Sequence, residues 1–210
     1  MGSLDQFLST PASLLLLLAN IGVSFAAFNN PQLMDRLMFD VGRMRRHGEW
    51  YRMVTSGFVH GGPLHLMLNM YALFGFGPAL EAYLGTGPFL LIYLGSLLGG
   101  SAWTWMEHFR DMNYRAVGAS GAISGLVSAF AIFAPLAEFE ILFVFPMPAF
   151  IFTIIYIGVS AWAASTQVRD GIGHAAHLGG ALAGVAIVCI WWSHAPQLMI
   201  DQIMASIRGF

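Results

Sequence analysis

Apolar residues are grouped along this chain into six long runs, and the charged residues fall mainly between the runs. A helix needs about 20 predominantly apolar residues to cross the hydrocarbon core of a bilayer, and all six runs come near that length. Glycine and proline punctuate several of the joins, as they do at turns. The pattern predicts an all-α, polytopic membrane protein. Its six predicted transmembrane helices cover residues 13–28, 63–83, 88–106, 120–135, 141–164 and 174–193.

Two further segments carry apolar residues at helical spacing among polar ones. In the long connection 29–62, leucines and methionines recur at helical spacing with charged residues between them, which predicts a short amphipathic helix at the membrane interface. An arginine-rich stretch follows it. The tail 194–210 repeats this amphipathic pattern, so we expect it to lie along the membrane surface. We therefore expect one membrane domain over residues 1–210, with a core of about 49–193.

Composition supports lipid as the solvent of this chain. Charged residues make up 10% of the sequence and lysine is absent, whereas an average soluble domain carries about 25% charged residues. The formal net charge is −2 without a basic tract, which argues against nucleic-acid binding. The single cysteine, Cys189, cannot form an internal disulfide. Asp5 and no basic residue precede the first run, so we expect a retained helix rather than a signal peptide.

The fourth run is short for a membrane span. At 1.5 Å per residue, the helix 120–135 would be about 24 Å long, less than the roughly 30 Å of the hydrocarbon core. We therefore expect this helix to begin below the bilayer surface, where its first backbone groups must be buried in protein or face water. The residue at that position is Ser120.

Ionisable and amide side chains also fall in or beside the apolar runs. His65 and Asn69 are four residues apart and share one face of the second predicted helix. Such side chains are costly in lipid and often functional, although any one of them could instead bond to a neighbouring helix. Taken together with Ser120, the group favours a functional site. The other histidines in this group are His60, His174 and His177.

Ser120 stands in the string Gly118-Ala119-Ser120-Gly121. Serine is a common helix N-cap, so the string alone leaves a capping role open. Flanking glycines would let backbone N–H groups approach a bound carbonyl, and a helix N-terminus favours the negative charge of an acyl-transfer intermediate. Ser120 is therefore a candidate nucleophile. A serine nucleophile needs a neighbouring base, and His177 at the start of the sixth helix is a suitable candidate.

Small residues predict which helices meet. Two pairs of glycines, each one helical turn apart, follow the candidate nucleophile and base: Gly121 with Gly125, and Gly180 with Gly184. Small residues at this spacing let helix backbones pack closely, although either pair alone is compatible with generic packing. Contact between the two faces would bring Ser120 and His177 within hydrogen-bond reach.

With these motifs assembled, the sequence resembles the rhomboid intramembrane serine proteases over about residues 49–192. The order and the spacing of the motifs both fit that family. The matching motifs are His-x-x-x-Asn at His65 and Asn69, Glu81 with Leu84-Gly85, Gly-x-Ser-Gly at Ser120, and Ala-His-x-x-Gly at His177.

The resemblance implies a six-helix rhomboid-like bundle with a long membrane-associated first loop and a fifth helix that gates substrate entry. It implies a catalytic dyad of Ser120 and His177 without an acidic third member. The oxyanion would be stabilised by the side chains of Asn69 and His65 and by the Ser120 N–H. His60 would be structural. The remaining supporting residues would be Glu81, holding the second helix in place, with Gly118, Gly121, Gly180 and Arg52.

The sequence departs from the family pattern at three positions. The family's loop motif is commonly Trp-Arg, and here it is Tyr51-Arg52. Ser124 stands one turn after the nucleophile, where some members have a tyrosine that packs on the catalytic histidine, so support for His177 must come from elsewhere. His174 occupies a position where we expect a small or amide residue.

The function implied is an intramembrane serine endopeptidase that cleaves transmembrane or juxtamembrane segments of membrane proteins. Its partners would be transmembrane substrates and membrane lipids, without a metal or cofactor; the sequence gives no oligomeric state. Three alternatives are a rhomboid-like pseudoprotease that binds clients without cleavage, a metal-dependent protease or metal transporter, and a small channel. The metal alternative rests on the spacing of His174 and His177, together with His60 and His65. The chain lacks His-Glu-x-x-His, however, and we expect no carboxylate in the helix interiors to serve as ligand or base.

Two indications of membrane orientation conflict. All arginines except Arg208 fall in the first, third and fifth connections, and the positive-inside rule would place these in the cytoplasm. The resemblance implies a bacterial inner-membrane protein whose site opens outward, with both termini inside. We follow the family expectation, because a first loop that folds into the membrane would escape the rule.

Overall fold

The computed structural model describes residues 9–141, 145–166 and 173–208 of the 210-residue chain. The described part is mostly helical, and each of the six apolar runs contains a helix. In chain order the elements are α1 (Pro11–Phe28), α2 (Pro31–Leu37), β1 (Phe39–Asp40), α3 (Val41–His47), α4 (Arg52–Thr55), a 3₁₀ turn (Ser56–Phe58), α5 (Pro63–Leu84), α6 (Thr86–His108), β2 (Arg115–Ala116), α7 (Ser120–Phe133), β3 (Glu138–Ile141), β4 (Phe145–Pro148), α8 (Ala149–Ser165), α9 (His174–Trp191) and α10 (Ala195–Arg208).

Three of these helices, α1, α6 and α9, are long and apolar enough to cross a membrane. The helices α7 and α8 are shorter and also apolar. Several apolar helices of this kind in one chain are the pattern of an integral multi-pass membrane protein.

The prediction of a helix over 141–164 is wrong at its N-terminal end, since α8 begins only at Ala149. Before it, β3 and β4 pair antiparallel, with Glu138 opposite Pro148. Proline disfavours a helical conformation in the residue before it, so Pro146 and Pro148 keep this stretch extended. Residues 142–144 of the predicted helix lie outside the described residues. These strands and the β1–β2 pair are short additions to a structure that is otherwise mostly helical.

The long connection between α1 and α5 is folded around one buried guanidinium. Arg52 is fully buried, and its Nη1 donates to the carbonyl oxygens of Asp35 at 2.6 Å and Met38 at 2.7 Å. Its Nε donates to the Glu49 carboxylate at 2.6 Å. The planar guanidinium, with several fixed donors, can hold three acceptors at once. The loop is therefore an ordered unit, as its predicted amphipathic helix suggested.

A two-residue β ladder ties this connection to the segment before α7. Asp40 of β1 lies opposite Arg115 of β2, and the two side chains form an ion pair with 2.9 Å between Nε and Oδ2. The first loop thereby helps to fix the residues that lead into Ser120.

Glycines let α6, α7 and α9 pack at backbone distance. A methyl group on Gly184 would lie 2.6 Å from the Cα of Gly125, and one on Gly180 would overlap the Gly121 carbonyl. The α6 helix joins this contact at Gly100, which faces the α9 backbone. The predicted contact between the two glycine faces is therefore confirmed.

The tail forms α10, an amphipathic helix in agreement with its pattern. Ala195 is buried and Met199 packs against the core. Leu198, Ile200 and Ile207 are exposed. One apolar side of this helix therefore contacts the bundle while further apolar side chains stay open.

Candidate active site

Ser120 is the first residue of α7 and is half-buried. The turn before it depends on Gly118, whose φ is +122°, in a region that residues with a side chain rarely adopt. The Gly118 N–H donates to the Ser56 carbonyl at 2.9 Å, which attaches the turn to the end of the first loop. The candidate nucleophile therefore starts a helix whose entry is fixed by a glycine.

The His65 ring lies directly against this turn. A methyl group on Gly118 would come within 2.7 Å of His65 Cε1 and 2.8 Å of Nε2. His65 Nδ1 accepts the Gly61 N–H at 3.4 Å, so Nε2 carries the ring proton and is the available donor. The Asn69 side chain donates to the His65 carbonyl at 2.9 Å, one turn further along α5. Of the two predicted oxyanion side chains, His65 therefore lies beside the start of α7, and Asn69 is bonded to the backbone of the same helix.

His60 links three parts of the chain beneath the same turn. It is fully buried; its Nε2 accepts the Ala119 N–H at 3.4 Å, and its Nδ1 lies 2.8 Å from Ser24 Oγ of α1. With Nε2 as acceptor, Nδ1 carries the proton and donates to Ser24, whose hydroxyl donates in turn to the Phe58 carbonyl at 3.1 Å. These contacts agree with a structural role for His60.

His177 belongs to the first turn of α9, whose entry is next to the entry of α7. A methyl group on Gly121, the residue after Ser120, would lie 3.2 Å from the carbonyl oxygen of Ala176, the residue before His177. The ring of His174 lies edge-on to that of His177 with 6.0 Å between centroids. The candidate nucleophile and base therefore flank one backbone contact between two helices.

Sequence reasoning missed Tyr156 of α8. Its ring stacks on His177 with 5.7 Å between centroids, and its hydroxyl lies 2.6 Å from Ser124 Oγ on α7. The signal was present, because a tyrosine inside an apolar helix usually finds a hydrogen-bond partner. Which partner it finds depends on how α7, α8 and α9 pack.

Two predicted supporting residues lie away from this group. Glu81, near the end of α5, accepts the backbone N–H groups of Ala12 at 3.0 Å and Ser13 at 2.7 Å, and the hydroxyl of Thr86 at 2.8 Å. It therefore joins the second long helix to the start of the first. Arg52 holds the first loop, as described above.

Within residues 9–141, 145–166 and 173–208, no group of three or more His, Cys, Asp or Glu side chains is placed to hold a metal ion.

Comparison with known proteins identifies relatives of this chain. It is 43% identical over 82 residues to the rhomboid protease GluP of Bacillus subtilis, covering 39% of this chain and 15% of that protein. It is 35% identical over 136 residues to Rhomboid protein 1, mitochondrial, of Saccharomyces cerevisiae, covering 63% of this chain and 39% of the relative. RHOMBOID-like protein 12, mitochondrial, of Arabidopsis thaliana is 29% identical over 195 residues, covering 85% and 56%.

These matches span only part of each relative, between 15% and 56% of its length. The family profile described as the Rhomboid domain, in contrast, matches residues 47–194 of this chain. That range contains α4 to α9 and every candidate site residue discussed above. The chain therefore belongs to the rhomboid family.

Proposed function

We propose that this protein is an intramembrane serine endopeptidase that hydrolyses peptide bonds in or beside transmembrane segments of other membrane proteins. The observation that carries the proposal is the backbone contact between Gly121 and Ala176. It brings together the entries of α7 and α9, which supports the pairing of Ser120 with His177 that the reaction requires. Family membership and relatives named rhomboid proteases support the same reaction.

In the proposed reaction, the Ser120 hydroxyl attacks the scissile carbonyl while His177 takes its proton. The negative charge on the carbonyl oxygen would be met by the Ser120 N–H at the helix N-terminus and by His65 and Asn69. His177 then returns the proton to the leaving amine, and water releases the acyl group by the reverse sequence. This chemistry requires a nucleophile, a base and oxyanion donors, all supplied by the chain.

The proposal includes a single domain over residues 1–210 with six membrane-crossing helices, namely α1 and α5 to α9. The lengths of α1, α6 and α9 support three crossings, and the close packing of α7 against α6 and α9 supports its inclusion in the same bundle. We propose a bacterial inner membrane with both termini inside. Tags on each terminus, tested for protease accessibility in intact cells, would contradict this orientation if either tag were digested.

The test is cleavage of a transmembrane substrate by purified protein in lipid vesicles. Ser120→Ala and His177→Ala are expected to abolish cleavage, whereas Ser128→Ala on the same helix is expected to retain it. Ser128 is the matched control because it is a buried serine whose hydroxyl donates to the Ser124 carbonyl at 2.9 Å. A fluorophosphonate should label Ser120 in the wild type.

The outcomes separate the alternatives. Full cleavage by Ser120→Ala would end the hydrolase proposal. Wild-type protein that binds a transmembrane client but neither cleaves it nor reacts with the fluorophosphonate would instead establish the pseudoprotease. Cleavage that a chelator abolishes would favour the metal-dependent protease.

A further inference from the structure

The His177 ring is stacked on an aromatic ring from a different helix. Tyr156 of α8 lies with its ring centroid 5.7 Å from that of His177 and an interplanar angle of 27°. This separation lies in the range of offset-stacked aromatic pairs. One side of the His177 ring is therefore covered by the Tyr156 ring.

The hydroxyl of Tyr156 is tied to the helix that begins with the candidate nucleophile. It lies 2.6 Å from Ser124 Oγ, and Ser124 Oγ donates to the Ser120 carbonyl at 2.6 Å. A serine hydroxyl has one proton, so if Ser124 gives it to Ser120, Tyr156 must donate to Ser124. Tyr156 thus contacts the base with its ring and reaches the nucleophile's backbone through one intervening hydroxyl.

Further aromatic rings hold Tyr156 in place. Phe152, one turn earlier on α8, stacks on it with 5.9 Å between centroids and 15° between planes. Phe139 of β3 lies edge-on to Phe152 at 5.6 Å. A ring that stacks on both Phe152 and His177 and is bonded at its hydroxyl has little freedom to turn.

We propose that Tyr156 is the positioning residue for His177, supplied by α8 and anchored on Ser124. The inference rests on the proposed function, since it assigns a role within the same site. The small side chain of Ser124 leaves room one turn after the nucleophile, and the Tyr156 hydroxyl ends there. A tyrosine from a neighbouring helix therefore provides the contact that position 124 itself lacks.

The stack has two physical consequences for catalysis. It restricts rotation of the imidazole, which keeps its proton-accepting nitrogen in register with the nucleophile. It also presents an electron-rich ring face to His177 when the imidazole becomes positively charged on taking the Ser120 proton. A cation–π contact of ordinary strength corresponds to a rate change of roughly 2- to 30-fold. Because His177 becomes charged only during the reaction, loss of this contact should lower kcat and leave KM unchanged.

Four variants separate the ring from the hydroxyl. Tyr156→Leu removes both, Tyr156→Phe keeps the ring, and Ser124→Ala removes the anchor. The double variant Tyr156→Leu/Ser124→Tyr returns a tyrosine to the space from the α7 side. Trp162→Leu is the matched control, because Trp162 is a largely exposed aromatic residue on the same helix.

The measurements are kcat and KM for vesicle-bound substrate and the rate constant of fluorophosphonate labelling. Tyr156→Leu is expected to lower kcat about 10-fold with KM within about twofold, in the range of a lost cation–π contact. Tyr156→Phe and Ser124→Ala should stay within about threefold of wild type, as expected for loss of one neutral hydrogen bond. The double variant should recover part of the loss, and Trp162→Leu should match wild type.

Wild-type kcat and labelling rate in Tyr156→Leu would overturn the inference while leaving the hydrolase proposal intact. An equal loss in Tyr156→Phe and Tyr156→Leu would also overturn it, because the ring would then be irrelevant. Because kcat is calculated per fluorophosphonate-labelled molecule, and the labelling rate constant does not depend on how much protein is folded, poor folding of Tyr156→Leu cannot imitate the expected result. A wild type that neither cleaves nor labels would instead refute the proposed function itself.

Discussion

Gly184 and Gly125 are in backbone contact where α9 crosses α7, and a methyl group on Gly184 would lie 2.6 Å from both the Cα and the carbonyl oxygen of Gly125. Backbone cannot give way as a flexible side chain can. The interface therefore accepts only hydrogen at this position, and the helix pair that carries the candidate nucleophile and base depends on it.

Gly184→Ala is therefore expected to lower the free energy of unfolding by about 1–3 kcal/mol, the usual cost of overpacking. Gly158→Ala is the matched control, since a methyl group there meets no atom within 4 Å. That change should be neutral or stabilising by up to about 1 kcal/mol, because alanine is the better helix former. Thermal unfolding in detergent measures both, and equal stabilities of the two variants would contradict the packing argument.

Glu81, which belongs to α5, caps the N-terminus of α1. Its two carboxylate oxygens accept the N–H groups of Ala12 and Ser13, which the first turn of α1 leaves without helical partners. Glu81→Gln keeps an acceptor but removes the charge that favours a helix N-terminus, so we expect a loss of about 1–2 kcal/mol. Hydrogen exchange should quicken at the start of α1 in particular.

Glu138→Gln provides the control for this change. Glu138 is an exposed residue of β3, and removal of its charge should leave both stability and exchange at α1 unchanged. Faster exchange throughout the bundle in Glu81→Gln, without emphasis on residues 12–14, would mean that the carboxylate acts other than as a cap.

The first loop should weaken in acid through Glu49. A hydrogen bond from Arg52 lowers the pKa of Glu49 below its ordinary value of 4.5, and the charges of Arg52 and Arg43 act in the same direction. A carboxyl with a lowered folded-state pKa contributes stability that is fully present above pH 4.5 and is lost as pH falls through the folded-state value. Unfolding should therefore become easier below about pH 4.5.

Glu49→Gln isolates this contribution from that of the other carboxyl groups. The difference in unfolding free energy between wild type and Glu49→Gln should be constant near neutral pH and shrink as the pH falls below 4.5. A difference that stays constant down to pH 3 would show that the Glu49–Arg52 pair does not respond to protonation.

The parts of the fold that could be predicted are those that depend on short-range patterns in the sequence. The runs of apolar residues located the helices, and the spacing of Gly121 with Gly125 and of Gly180 with Gly184 located a helix contact that the structure confirms. Each of these patterns identifies the residues on one face of a single helix. Such faces constrain packing even before the other elements are known.

What could not be predicted depends on several elements at once. Residues 145–148 fall within the predicted fifth helix but form β4, and Pro146 and Pro148 are the local residues that indicate this extended conformation. Tyr156 looks like one more aromatic residue of an apolar run until α7 and α9 place Ser124 and His177 beside it. The choice of partner is a tertiary event that a single sequence does not record.

Gly118 is required both for its backbone conformation and for the space it leaves. Comparison with Gly85 separates these two requirements. The Gly118 φ of +122° is strained for any residue with a side chain, and a methyl group would also meet the His65 ring at 2.7 Å. Gly85 has a φ of +87° but open space around it. Gly85→Ala therefore incurs only the backbone strain, about 1–3 kcal/mol, whereas Gly118→Ala adds the displacement of His65.

Both alanine variants should consequently lose stability, but only Gly118→Ala should lose activity per folded molecule. Displacement of an oxyanion donor typically costs about 10²-fold in kcat. Cleavage normalised to the folded fraction, measured for both variants beside wild type, gives the comparison. Full specific activity in Gly118→Ala would mean that His65 moves without consequence, and His65 would then have to be removed from the proposed oxyanion site.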